Sequence, residues 1–302
     1  MIDKVTYLIL KAQNPDGGWG ALAGKRSNTE ATSLVILGLH SLGDAALDAS
    51  IDHGLTWLTS RQRADGSWPV TDQLHEGSWM TALATVALAS SQRHQHSAMR
   101  GAHWLCQQKG ASPGWIASLL YRFLPQKSAN QLNPDLQGWS WSAGAFSWVE
   151  PTAYALIALQ KLRPFLRETG AEARLRQGEL LLYDRMCAGG GWNYGNAQVL
   201  GEELRPYPDI TALTLIALQN HQVAEANTLS LHALRSMTTQ VPSGLALSWS
   251  ILAFALYGYE HEVSLGKKLL MSHYEATGFL GEIKTLALAL LACEEGAQTF
   301  RV

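Results

Sequence analysis

Charge is scarce in this chain. Asp, Glu, Lys and Arg make up only 16% of its 302 residues, and the formal net charge is -2. There is no basic tail or charge run, so nucleic acid is not an expected partner. Cysteine is scarce as well: Cys106, Cys187 and Cys293 stand far apart and are odd in number. Without a Cys-x-x-Cys pair, neither a disulfide framework nor a zinc ribbon is indicated, and no metal or cofactor is expected. No apolar run reaches the roughly 18 residues of a membrane span. The opening Met1-Ile2-Asp3-Lys4 does not build the apolar core of a signal peptide. A cytoplasmic protein with no integral membrane segment is the expectation. Convincing strand alternation is also missing.

What is present is a phrase written twice. Gln13-Asn14-Pro15-Asp16-Gly17-Gly18-Trp19 and Gln62-Arg63-Ala64-Asp65-Gly66-Ser67-Trp68 share the pattern Gln-x-x-Asp-Gly-small-Trp. Each copy separates two apolar helical runs, and such recurrence marks stacked supersecondary units. Asp-Gly supplies a turn, because Gly accepts positive φ and Asp bonds its own backbone nearby. The Gln amide is expected at a helix end, where carbonyls lack partners, with the Trp lying over it.

Helical periodicity runs through the whole chain. The runs around 29–42, 79–88, 151–159, 210–218, 249–257 and 283–292 are Ala- and Leu-rich on every side. Helices of that kind are buried all round. Amphipathic segments at about 2–13, 45–61, 97–108, 171–187, 225–239 and 261–274 alternate with them. Six hairpins with all inner helices parallel close into an α/α toroid of about six inner and six outer helices, in which every repeat has two neighbours. Residues 1–302 read as one such domain. The stretch 115–149 breaks the rhythm, and long insertions often carry function.

The Gln-x-x-Asp-Gly-x-Trp phrases resemble the QW repeats of squalene-hopene and oxidosqualene cyclases. The turn Gly189-Gly190-Gly191-Trp192 is similar to the glycine-aromatic turns shared by those cyclases and protein prenyltransferase β subunits. The resemblance implies the toroid fold, with the repeats serving stability and not catalysis. It also implies an acid. Class II terpenoid cyclases protonate an alkene or epoxide with the middle Asp of Asp-x-Asp-Asp-Thr-Ala or the first residue of Asp-Cys-Thr-Ala. With Thr211-Ala212 set on that Thr-Ala, Asp209 falls on the proton donor, while Tyr207 and Ile210 depart from the pattern. Prenyltransferase β subunits place Asp-x-Cys here and hold zinc with it. In Asp209-Ile210-Thr211 the thiolate is replaced by a hydroxyl, a poor zinc ligand. Arg205 is the nearest basic candidate for a diphosphate. Class II cyclases usually pair two toroids, so a second toroid or a helical partner chain is a further expectation of the resemblance.

Acids recur where inner helices should start: Glu30, Glu76, Glu150, Asp209 and Glu282. A carboxylate there has a purely structural use, since free N–H groups and the macrodipole stabilise it by about 0.3–1 kcal/mol. Burial and neighbouring carboxylates would instead raise its pKa and make it a proton donor. Asp209 and Glu150 are the candidates for that role, and His75 could orient an acid. Trp79, Trp139, Trp141, Trp148, Trp192, Tyr194 and Tyr207 fall in the turns before inner helices. Such rings could line a ligand cavity and steady a cation, or each could seal a repeat turn. The reading is a cyclase-like enzyme acting on a linear isoprenoid through an oily hollow. The alternatives are a lipid- or peptide-binding toroid without acid chemistry and a prenyltransferase-β-like transferase lacking its zinc Cys.

Overall fold

The computed structural model describes residues 1–302 except 72, 74–75, 112–113, 115–118, 120–122, 124–131, 167–169, 223, 241–242 and 295. His75 and most of the first half of the 115–149 stretch therefore lie outside the described residues. Twelve α-helices are present among the described residues. The inner ones are α2 (Thr29–His40), α4 (Met80–Ala89), α6 (Val149–Leu162), α8 (Pro208–Ala217), α10 (Gly244–Leu256) and α12 (Ile283–Cys293). The outer ones are α1 (Ile2–Lys11), α3 (Asp48–Arg61), α5 (Gln95–Gln107), α7 (Ala171–Asp184), α9 (Glu225–Gln240) and α11 (Glu260–Thr277). Each inner helix packs on the next, and α12 packs on α2, so the ring closes. The α/α toroid expected from the sequence is the observed fold.

The inner helices owe their position to Ala, Leu, Ile and small polar residues, which are buried on every face of α2, α4 and α12. The repeat turns explain the spacing. Four tryptophans, Trp19, Trp68, Trp139 and Trp192, occupy one equivalent place. Each indole N–H donates to a carbonyl at the end of the preceding outer helix: Ile9, Leu58, Leu105 and Leu182, at 2.6–2.9 Å. Each backbone N–H donates to a threonine hydroxyl in the next inner helix: Thr32, Thr81, Thr152 and Thr211. It is thus the indole, not the Gln amide, that satisfies the helix end. Gln13 and Gln62 instead tie their turns to the following outer helix, through the carbonyls of Ser50 and Ser97. Asp16 and Asp65 accept from the N–H two residues on, as the turn chemistry predicts.

Two expectations change here. Trp139 and Trp192, read as candidate ligand-binding rings, are 3% and 0% exposed and seal repeat turns. The latter half of the 115–149 stretch is the third repeat turn itself, closed by paired backbone bridging of Trp139 and Trp148. Its phrase Asn133-Pro134-Asp135-Leu136-Gln137-Gly138-Trp139 is one residue longer than Asn14-Pro15-Asp16-Gly17-Gly18-Trp19, which hides the match. In the fourth turn the Trp-to-Thr distance grows from 13 to 19 residues. A small antiparallel ribbon of β1 (Gln198–Val199) and β2 (Glu202–Glu203) occupies that extra length.

Among the described residues, bulky side chains fill the space beneath the mouth of the ring. Beneath its mouth Leu34, Tyr154, Leu213, Trp249 and Leu288 converge and leave a cavity of about 30 Å³. Trp249 in turn meets Phe300, 5.4 Å away between ring centroids. Phe300 is fully buried and belongs to the short helix Gly296–Phe300, which packs on α2, α10 and α12. The Gln219 amide donates to the Phe300 carbonyl and the Lys161 ammonium to that of Thr299. Among the described residues, the protein's own side chains occupy the place beneath this mouth where the sequence led us to expect an oily hollow.

Candidate active site

All inner helices start on one face, so their first turns form a rim. Glu30, Glu150, Asp209, Leu245 and Lys284 are each the second residue of their helix. They line one mouth together with Leu34, Tyr154, Ile210, Leu213, Trp249 and Leu288. Asp209 and Glu150, both singled out in the sequence, are thus brought together. Two partners were missed by sequence reasoning. Glu30 was seen only as a helix start, and Lys284 was not weighed at all. For Glu30 a signal was available in its offset from the turn: Glu30, Glu150 and Asp209 each precede the turn-binding threonine by two residues. Glu76 is exposed and does not line the mouth, and Glu282 sits just ahead of α12.

The three acids differ in surroundings. Burial is the main cause that pushes the Glu150 carboxyl up to about 7; Glu30 and Asp209 add to it, while the Trp141 indole and Lys284 oppose it. The Trp141 Nε1–H donates to Glu150 Oε2 at 3.0 Å. Burial also raises Asp209, against the N–H bonds of its own and the Ile210 amide, which favour the ionised form. Burial raises Glu30 too, opposed by Lys284. Lys284 Nζ stands 3.7 Å from Glu30 and 3.6 Å from Glu282. Burial works against its charge, but those carboxylates outweigh it and hold the ammonium above its ordinary pKa. Four acids, Glu30, Glu150, Asp209 and Glu282, share the Lys284 ammonium at a partly desolvated mouth. Of the helix-start acids Glu150 is raised to about 7, by burial first and then by Glu30 and Asp209 beside it.

An aromatic wall flanks this group. Trp141 stacks on Trp148 at 4.8 Å, leans on Tyr194 at 5.9 Å, and Tyr194 meets Tyr207 at 5.7 Å. Tyr194 and Tyr207 are 40% and 49% exposed. Trp79 contacts Tyr154 at 5.4 Å and borders a separate crevice of about 30 Å³ with Trp139 and Trp141. Thr211, at the place of a zinc thiolate in the prenyltransferase comparison, is committed to Trp192. It accepts from the Trp192 N–H and donates to the Trp192 carbonyl. Arg205 lies exposed beyond the ribbon.

Solved structures with this ring-in-ring architecture serve several activities. Type II terpene cyclase MstE from Scytonema, in complex with geranylgeranyl dihydroxybenzoate, matches with a TM-score of 0.60 at 15% identity, over 99% of this chain and 96% of that one. An alpha-amylase from Clostridium perfringens matches with 0.66 at 12% identity, over 100% and 98%. The alpha-1,6-mannanase GH76A of Salegentibacter sp., in complex with alpha-1,6-mannotriose, matches with 0.62 at 10% identity, over 99% and 98%. No family model matches the sequence. The chain has the terpene cyclase-like α/α toroid fold, and the amylase and mannanase share it. The cyclase is covered over nearly its full length, so the match does not support the expected second toroid.

Proposed function

We propose that the mouth is a proton-donating site of the terpenoid-cyclase type, with Glu150 as the acid and a linear isoprenoid as substrate. The observation that carries this reading is a buried carboxyl, Glu150, raised to about 7 and set in a lining that also carries aliphatic and aromatic side chains. Apart from the acids and Lys284, that lining is Leu, Ile, Tyr and Trp. An alkene needs only the proton and rings to steady the cation that follows, by about 0.5–2 kcal/mol each. Trp141, Trp148, Tyr194 and Tyr207 are placed for that. Asp209 acts less as donor than as the neighbour that keeps the Glu150 proton on, because its own amide bonds favour its charge. The 30 Å³ beneath the mouth admits no more than a chain end. The rest of the substrate lies along the aromatic wall.

A second reading has support of its own. A general acid with a pKa near the working pH beside a second carboxylate is also the equipment of glycoside cleavage, and the shallow mouth suits it. One experiment separates the readings. The wild-type chain and the Glu150→Gln variant are incubated with farnesyl, geranylgeranyl and squalene-type substrates and, separately, with α-1,6-mannosides. Cyclic products from the wild type, reduced about a hundredfold or more in the variant with ligand binding kept, bear out the acid. Release of sugar favours the second reading. Binding without any product leaves a non-catalytic toroid and sinks the proton-donor role.

A further inference from the structure

The fold does not require an indole at position 141. The sealing tryptophan of that turn is Trp139, whose indole N–H serves the Leu105 carbonyl. In all four sealed turns the carbonyl of the sealing tryptophan accepts from a residue just ahead of the next inner helix: Asn28, Ser78, Trp148 and Tyr207. The places two residues after the sealing tryptophans are therefore comparable, and Ala21, Val70 and Tyr194 fill the other three. None of those side chains carries an N–H. Trp141 does, and it donates to Glu150 Oε2 at 3.0 Å. The indole is held in place for that bond. It stacks on Trp148 at 4.8 Å and 19° between planes, and Tyr194 leans on it at 5.9 Å. Trp148 is itself fixed, because its backbone N–H is on the Trp139 carbonyl. Gly195 backs the Trp148 ring so closely that a β-carbon there would come within 3.0 Å.

Among the described residues no second hydrogen bond reaches the Glu150 carboxyl. Glu30 from α2, Asp209 from α8 and Lys284 from α12 face it as charges, and Tyr154 and Tyr194 lie near it. An indole N–H can only donate. In a protonated carboxyl the carbonyl oxygen is the better acceptor, so a donor fixed on Oε2 leaves the acid proton on Oε1. The same bond strengthens when that proton departs, because a hydrogen bond to an ionised acceptor is roughly twice as strong. Trp141 therefore works against the burial that holds the proton on. An acid that is buried and nothing more would keep its proton too well to pass it on.

We propose that Trp141 is the positioning residue of the acid: its N–H fixes Glu150 Oε2, leaves the transferable proton on Oε1, and steadies the carboxylate that remains once the proton is delivered. This role presupposes the reading of Glu150 as a proton donor, and its test needs no substrate. The full chain is titrated by infrared spectroscopy, and the spectrum of Glu150→Gln is subtracted at each pH to isolate the one carboxyl. Two variants remove the N–H. One is Trp141→Phe. The other is Trp141→3-benzothienylalanine, in which sulfur replaces the N–H and the bicyclic ring keeps its stack on Trp148. Trp148→Phe alters the stack and leaves the donor in place. In both Trp141 variants the Glu150 midpoint is expected to rise by about one pH unit. The carbonyl stretch of the protonated form should move to higher wavenumber as its donor is lost. Packing alone predicts the opposite pattern, a shift in Trp148→Phe and none in the benzothienyl variant, and that result overturns the proposal. So does a benzothienyl variant with the wild-type midpoint and stretch, whether or not Trp141→Phe folds. A wild-type midpoint near 4.5 sinks the proton-donor reading and this role with it. A wild-type midpoint near 7 that ignores the loss of the N–H sinks this role alone.

Discussion

Glu150 shows how one carboxyl changes character with its surroundings. Its pKa is raised from 4.5 to about 7, chiefly by burial, with Glu30 and Asp209 adding to the effect. The folded state therefore holds that proton more tightly than the unfolded chain does. The contribution to stability is fully present below pH 4.5 and is lost as pH rises through about 7. Glu150→Gln removes the titration. Thermal unfolding of the variant should gain on the wild type as pH rises across that window, and a difference flat with pH would contradict the burial argument. At this scale the sequence was legible in part. Asp209 and Glu150 were visible as acids at helix starts, and both line the mouth. Which of them is more readily protonated was not visible, because that depends first on burial and then on Glu30, an acid on another inner helix that the ring brings close. Trp139 and Trp192 looked the same as Trp141 and Tyr194 in sequence. Only burial separates a sealed indole from an open one.

The repeat hairpin is the next scale. Its turn is specified by Asp-Gly and its seal by the Trp, and both were read correctly from the repeated phrase. The donor to the helix end was assigned to the Gln, because a free amide and a free indole N–H are equally good on paper. Distance decides for the indole, at 2.7 Å in the second repeat. The outer helices carry a feature that the apolar pattern conceals. Gly54, Gly101 and Gly178 lie mid-helix where the Trp19, Trp68 and Trp139 rings press in, and a β-carbon there would come within 2.8–3.0 Å of the indole. The third repeat escaped notice because one added residue shifts its phrase out of register. Gly66 carries the sharpest prediction. Its φ is +93, and a β-carbon would lie 2.6 Å from the Arg100 carbonyl. Gly66→Ala should destabilise by at least about 1 kcal/mol, measured by denaturant unfolding. Gly43→Ala is the control: its φ is also positive, at +63, but its β-carbon meets nothing within 4 Å. Equal losses at both positions would assign the effect to backbone strain alone and discard the steric part.

At the scale of the molecule, the toroid was legible because six buried and six amphipathic segments alternate along the sequence. The filled centre was not legible. Tyr154 and Trp249 read as core residues of their own helices, and nothing local indicates that they meet across the ring at 6.1 Å. Phe300 stands outside the repeats, so its docking could not be read from them. Removing it tests how firmly the far end is closed. Phe300→Ala should cost about 3–5 kcal/mol and leave an apolar void under Trp249. Tighter binding of a small apolar probe such as benzene, read by thermal shift, would show the void to be reachable. A stability loss under about 1 kcal/mol would mean that the segment 296–302 is not a structural plug.

The contact between Thr29–His40 and Ile283–Cys293 has a consequence for biosynthesis. The earliest inner helix to leave the ribosome finds its final neighbour only after nearly the whole chain has been translated. Throughout that interval one apolar flank of the growing arc stays wet, as an open seam able to pair with another nascent chain. Loop closure over such a span is slow and favours association. Cells making this protein should therefore depend on a chaperone during synthesis, and the dependence should end when the last inner helix emerges.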